Sequence, residues 1–148
     1  MKRDYAVARR RMVEEQLRRA GITDRSVLRA METVPRHLFV PRMLWHSAYE
    51  PCALPIGYGQ TISKPFTVGL MTALLELTGT EKVLEVGAGT GYQAAILGEL
   101  AADVVSVERV APLARRAAAN LAQLESANVS ILAGDASFGL AERGPWDA

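Results

Sequence analysis

The sequence predicts a three-layer α/β/α fold with parallel strands, preceded by a helical extension, and three observations carry that expectation. The first is the stretch from Lys82 to Tyr92, Lys-Val-Leu-Glu-Val-Gly-Ala-Gly-Thr-Gly-Tyr, in which an apolar run of strand length meets glycines and then a helical segment. The second is its composition: Val83, Leu84 and Val86 are apolar on both sides of the alternation, as in a parallel strand covered on both faces. The third is repetition. Strands expected at Asp103–Val107 and Asn128–Ala133 alternate with helices expected at Ala94–Leu100 and Leu113–Leu124.

Taken in order, the chain opens with a helix over Tyr5–Ala20, with Met12, Val13, Leu17 and Ala20 inward and Gly21 placed to end it. A second helix, capped by Asp24 or Ser26, carries Val27, Leu28, Met31 and Val34 inward until Pro35 stops it. Arg36–Tyr58 has no sustained period and reads as an ordered connection packed down by Trp45, Tyr49 and Tyr58. The polar, uncharged run of Gln60, Thr61 and Ser63 follows two glycines. After it, Phe66, Val68, Leu70, Met71, Leu74, Leu75 and Leu77 form an apolar helix expected to pack on the sheet. Ser63 reads either as a helix cap ahead of Pro65 or as a hydroxyl facing a ligand, able to hydrogen-bond a carboxylate. In the helix over Leu113–Leu124, Ala114, Ala117, Ala118 and Leu121 are expected inward and Arg115 and Arg116 outward. These elements divide the chain into a helical and loop subdomain, 1–60, and a partial parallel-sheet domain, 61–148. The first strand is expected at a sheet edge, and the sequence looks cut short as a fourth strand should begin; an open edge invites self-association.

The glycine stretch also narrows the ligand. Gly87, Gly89 and Gly91 let the backbone pass close to a bound molecule, and a helix beginning near Tyr92 aims its amides at the same place. A dinucleotide fingerprint requires G-x-G-x-x-G, and Tyr92 occupies its last position here. Glu85, at the carboxyl end of the strand, repels a pyrophosphate and welcomes an ammonium group. A ligand with a cationic amino-acid end and a nucleoside end, such as S-adenosylmethionine, satisfies both features. Glu108 ends the second strand, about 20 residues past the glycines, where a doubly wound fold places the acid that grips ribose hydroxyls. Asp135, after Gly134, is placed to meet the base end, or else serves as a turn aspartate.

Bulk properties bound the alternatives. A chain of 148 residues, 49% hydrophobic and 22% charged, has the make-up of about one ordinary globular domain. A net charge of +1 argues against a general nucleic-acid binder, and Arg9, Arg10, Arg11, Arg18 and Arg19 interleave with Glu14 and Glu15 as on a solvated helix face. One cysteine, Cys52, and two histidines, His37 and His46, make a nitrogen and sulfur metal site an unfavourable reading. No apolar run is long enough to cross a membrane, and Met-Lys-Arg at the start leads into no signal core, so a cytoplasmic protein is expected.

With these residues in view, the chain resembles the protein-L-isoaspartate (D-aspartate) O-methyltransferases. The glycine segment Val83–Ala95 is similar to the cofactor motif of Rossmann-like methyltransferases in general. The more specific likeness lies in Tyr58-Gly59-Gln60-Thr61-Ile62-Ser63-Lys64-Pro65, in Pro35-Arg36-His37-Leu38-Phe39-Val40-Pro41 and in Met12-Val13. The resemblance implies methyl transfer from S-adenosylmethionine to the α-carboxyl of isoaspartyl residues in damaged proteins and peptides, whose ester then collapses to a succinimide. It further implies that Glu85, Gly87, Gly89 and Gly91 hold the methionine part, Glu108 the ribose, and Asp135 with Ala136 the adenine edge. Gln60, Thr61, Ile62 and Ser63 are implied at the acceptor, with Ser63 at its carboxylate. Ala136 stands where the family usually has glycine, and the family continues past the last residue of this chain. A cofactor-binding but catalytically silent or self-associating chain is the alternative reading, against a monomer when intact.

Overall fold

Local sequence chemistry sets the first elements of the computed structural model, which describes residues 4–148. The Asp4 side chain accepts from the amides of Ala6 and Val7 and starts helix α1, Tyr5–Met12. The helix then widens into a π-helical stretch, Val13–Arg18, whose closing bond runs from the Arg19 amide to the Glu14 carbonyl. Met12, Val13 and Leu17 are buried as their spacing predicts. Ala20 is exposed instead, because it lies in the turn beyond the helix that Gly21 completes at φ +100°. Asp24, rather than Ser26, caps α2, Arg25–Thr33, which ends as Val34 turns extended ahead of Pro35. On the outer face of the first helix Arg11 pairs with Glu15 at 3.0 Å and Arg18 with Glu14 at 2.9 Å, all four exposed.

The chain divides into two compact units, one ending at Glu76 and the other spanning Leu77–Ala148. In the first unit the aperiodic connection becomes two 3₁₀ turns, Arg36–Phe39 and Arg42–Ser47. Tyr5 stacks on His37 with ring centroids 4.1 Å apart, Trp45 meets the His37 ring edge-on at 5.0 Å, and His37 Nδ1 lies 2.9 Å from the Tyr49 hydroxyl. Strands β1, Leu54–Gly57, and β2, Gln60–Ile62, form an antiparallel hairpin whose two turn residues, Tyr58 and Gly59, both have positive φ. Tyr58 therefore does not pack the connection down; at the hairpin tip it is exposed.

Helix α3, Pro65–Leu74, starts with proline at its first turn and Lys64 as its cap residue. Ser63 makes no cap bond, so the capping alternative for Ser63 falls. Val68, Gly69 and Thr72 are the buried positions. A Cβ at Gly69 would come within 2.7 Å of a Leu17 side-chain methyl, so this helix packs closely on the first helical segment and a side chain there would have to displace Leu17. Leu70, Met71, Leu74 and Leu75, expected inward, are exposed. Leu77 lies beyond the helix and packs instead on a cluster of Val83, Leu97, Ala101 and Val104 in the second unit.

That unit is a parallel sheet of β3, Lys82–Val86, β4, Asp103–Glu108, and β5, Val129–Ala133, in the order β3-β4-β5. Crossover helices α4, Tyr92–Gly98, and α5, Ala111–Gln123, connect them. Strand β3 lies at the edge, as expected, and Val86 at its end is 64% exposed rather than covered on both faces. The outer edge of β3 is not bare along its length: the Asp147 amide donates to the Lys82 carbonyl at 2.9 Å and the Leu84 amide to the Ala148 carbonyl at 3.0 Å. In α5, Ala114, Ala117 and Leu121 are buried, whereas Ala118 is exposed beside an apolar groove bounded by Leu121, Val129 and Ile131. Among the described residues no helix is long and apolar enough to cross a membrane.

Candidate functional site

At the carboxyl end of β3 the backbone turns through Gly87, Gly89 and Gly91, with φ of +94°, +56° and +93°. These are left-handed conformations that side chains with a Cβ adopt only at a cost, which is why the spacing is glycine-rich. At Gly91 there is a second constraint, because a Cβ there would lie 3.2 Å from that of Ala117 on α5. The loop is tied down from β4: the amides of Gly87 and Ala88 donate to the Val107 carbonyl, and the Gly89 amide donates to Glu108 Oε2 at 2.7 Å. Glu108 Oε1 accepts from the Val110 amide at 2.8 Å. The carboxylate, only 7% exposed, thus has one amide on each oxygen and keeps lone pairs for further donors such as paired hydroxyls.

Glu85 lies on β3 directly across the parallel ladder from Ser106. The Ser106 hydroxyl donates to Glu85 Oε2 at 2.5 Å, within the range of a charge-assisted O–H···O bond. Burial pushes the Glu85 carboxyl up to about 7, and the nearby Glu108 charge adds to that push, while the Ser106 hydroxyl opposes it. A carboxyl so placed gains from any cation brought beside it. A ligand ammonium group is such a cation, so this half of the site suits a molecule with a cationic amino-acid end and a hydroxyl-bearing sugar.

Asp135 is exposed, and its Oδ1 accepts from the Ser137 amide at 2.9 Å and from the Ser137 hydroxyl. These bonds, the hydroxyl's first, hold its carboxyl below the usual aspartate value. The turn role is therefore present in the structure, while Ala136 beside it is buried. Among the described residues there is no group of three or more metal-ligating side chains.

The predicted acceptor residues belong to the first unit. Gln60, Thr61 and Ser63 are exposed, whereas Ile62, paired with Leu54 in the hairpin, turns its side chain into the core. Behind the loop lies Arg36, fully buried, whose Nε donates to the Ala48 carbonyl at 2.7 Å and whose Nη2 donates to the Ser63 carbonyl at 2.8 Å. Sequence reasoning assigned no role to Arg36 or Ser106. The available signals were an arginine in an otherwise apolar stretch after Pro35 and a single polar residue inside the strand Val104–Val107.

A parallel sheet with a glycine turn after its first strand and an acid ending its second is the nucleotide-binding arrangement of a doubly wound fold, which the Rossmann-like methyltransferases share. Solved structures agree: a protein-L-isoaspartate O-methyltransferase superposes with a TM-score of 0.81 at 29% identity, over 93% of this chain and 45% of that one. The family model for protein-L-isoaspartate(D-aspartate) O-methyltransferase (PCMT) matches residues 8–148, and the chain belongs to that family. Protein-L-isoaspartate O-methyltransferase 2 of Geotalea uraniireducens (strain Rf4) is 54% identical over 142 residues, which is 96% of this chain and 65% of that protein. A Synechococcus relative, strain JA-2-3B'a(2-13), is 52% identical over 144 residues, 97% of this chain and 59% of its own length. The chain thus spans somewhat under two thirds of the length of these curated relatives.

Proposed function

We propose that this chain takes part in methyl transfer from S-adenosylmethionine to the α-carboxyl of L-isoaspartyl and D-aspartyl residues in damaged proteins. The observation that carries the reading is the glycine loop closed onto the Glu108 carboxylate beside a second carboxylate, Glu85, in a chain of this family. In this reading Glu85 receives the ammonium of the methionine part and the backbone of Gly87, Gly89 and Gly91 lies along it. Glu108 accepts from the ribose hydroxyls with the lone pairs its two amides leave, and Asp135 with Ala136 borders the adenine. Gln60, Thr61, the Ile62 backbone and the Ser63 hydroxyl receive the acceptor, with Ser63 donating to its carboxylate.

The cofactor supplies an electrophilic methyl group on a sulfonium. The acceptor carboxylate is ionised at neutral pH, so the chain needs no general base, and its residues act by orientation and exclusion of water.

The test is transfer of labelled methyl from S-adenosylmethionine to an isoaspartyl peptide and to its normal aspartyl twin. Transfer to the isoaspartyl peptide alone is expected. Labelling of both peptides would sink the substrate assignment, and cofactor binding without transfer would favour the catalytically silent alternative. Within an active form, Ser63→Ala should lower turnover while leaving cofactor affinity within about threefold, because it removes one donor to the acceptor alone. Glu108→Ala should do the reverse, weakening cofactor binding about tenfold or more by calorimetry.

A further inference from the structure

We propose that Ser106 is a positioning residue of the cofactor half, whose buried hydroxyl holds the Glu85 carboxylate oriented and ionised to receive a cationic amino-acid end. The proposal rests on the reading of Glu85 given above and names the device that keeps that residue competent.

Ser106 is fully buried, and its strand neighbours Val104, Val105 and Val107 are apolar core residues. A hydroxyl in such a place costs stability unless it has a partner, and its partner is Glu85 Oε2 at 2.5 Å, in direct register across β3 and β4. Glu85 needs that partner, because burial disfavours its charge and the charge facing it, Glu108 on β4, has the same sign. Its own strand offers no relief: the Lys82 ammonium donates to the Arg143 carbonyl. Helix α4 carries neither a carboxylate nor a cation. The Ser106 hydroxyl is the group that favours the ionised form, and a neutral Glu85 has no charge with which to attract an ammonium.

The test uses the full chain and its Ser106→Ala variant. Titration of the Glu85 carboxyl, followed by carbon NMR, should shift upward by about one pH unit in Ser106→Ala, the effect of losing one hydrogen bond to a charged group. Isothermal calorimetry with S-adenosylhomocysteine should then show binding roughly tenfold weaker at pH 6.5 and less than twofold weaker at pH 8.5, where Glu85 is ionised in both proteins. Ser106→Cys, of similar size with a weaker donor, should fall between the two.

An unmoved titration overturns the proposal, as does equal weakening at both pH values, which is the mark of a merely structural role. Glu85→Gln separates the two levels of the argument. Unchanged affinity in Glu85→Gln, or no binding by the parent chain at either pH, overturns the reading of Glu85 and the cofactor part of the proposal with it. Weak binding in Glu85→Gln together with parent-like binding in Ser106→Ala overturns the assignment of Ser106 alone.

Discussion

The glycine loop of the second unit and the Gln60–Ser63 segment of the first, the proposed cofactor and acceptor loops, are held by opposite means. In the second unit the candidate carboxylates are themselves part of the scaffold: Glu108 bonds the Gly89 and Val110 amides, and Glu85 accepts from Ser106. In the first unit the exposed side chains of Gln60, Thr61 and Ser63 hang from a backbone that Arg36 grips from behind through the Ser63 carbonyl. A site built the first way has its carboxylates already held by bonds within the fold. A site built the second way leaves its side chains exposed and places the structural burden on a buried residue behind them.

The sharpest way to break this comparison is Arg36→Ala. It leaves the Ala48 and Ser63 carbonyls without their donor and opens a buried space, so the first unit should lose about 3 kcal/mol or more in chemical denaturation. A loss under about 1 kcal/mol would show that the loop is held by something else.

Next comes pH, to which the two units should respond in opposite directions. The folded-state value of Glu85 is raised to about 7, so its contribution is fully present below the ordinary glutamate range and is lost as pH rises through about 7. That is worth up to about 3 kcal/mol, and Glu85→Gln should flatten the profile. His37 is held below its usual value, first by burial and then by the Arg9 charge. Its contribution is therefore present above about 6.5, the ordinary histidine value, and is lost as pH falls below it. Amide exchange between pH 5 and 8 should thus show Val104 and Val105 losing protection towards the alkaline end and Met12 and Leu17 towards the acid end. Parallel profiles would contradict both assignments.

The smallest effect separates two glycines of like φ. Gly91→Ala should cost about 2 kcal/mol, from a positive φ and a Cβ pressed on Ala117. Gly57→Ala, at φ +96° with nothing within 4 Å, should cost about 1 kcal/mol from backbone conformation alone. Equal costs in thermal melts would mean that the contact with Ala117 is easily relieved.

Much of the second unit was legible because its signals are short-range. The apolar run into Gly87, the recurrence of strand and helix, and the acids at the ends of β3 and β4 all follow from backbone preference and alternation within a few residues. The first unit was legible where capping and helical spacing apply, as at Asp24 and Met12. It was misread where a local pattern has more than one solution. Tyr58 looked like packing and became the tip of a hairpin, and the apolar stripe Leu70, Met71, Leu74 and Leu75 looked buried and is exposed.

By itself, then, the sequence determined the strand, glycine turn and helix unit, the places of Glu85 and Glu108 near the ends of their strands, and the polar run at Gln60, Thr61 and Ser63. Each depends on neighbours in the chain, whose dihedral preferences and side-chain periods act over one or two turns. Only the tertiary structure decided that Ser106 meets Glu85, 21 residues away, and that Arg36 reaches the Ser63 carbonyl across 27 residues. Those pairings depend on strand register and on the packing of distant segments, and a buried donor finds its partner wherever the fold brings an acceptor within about 3 Å.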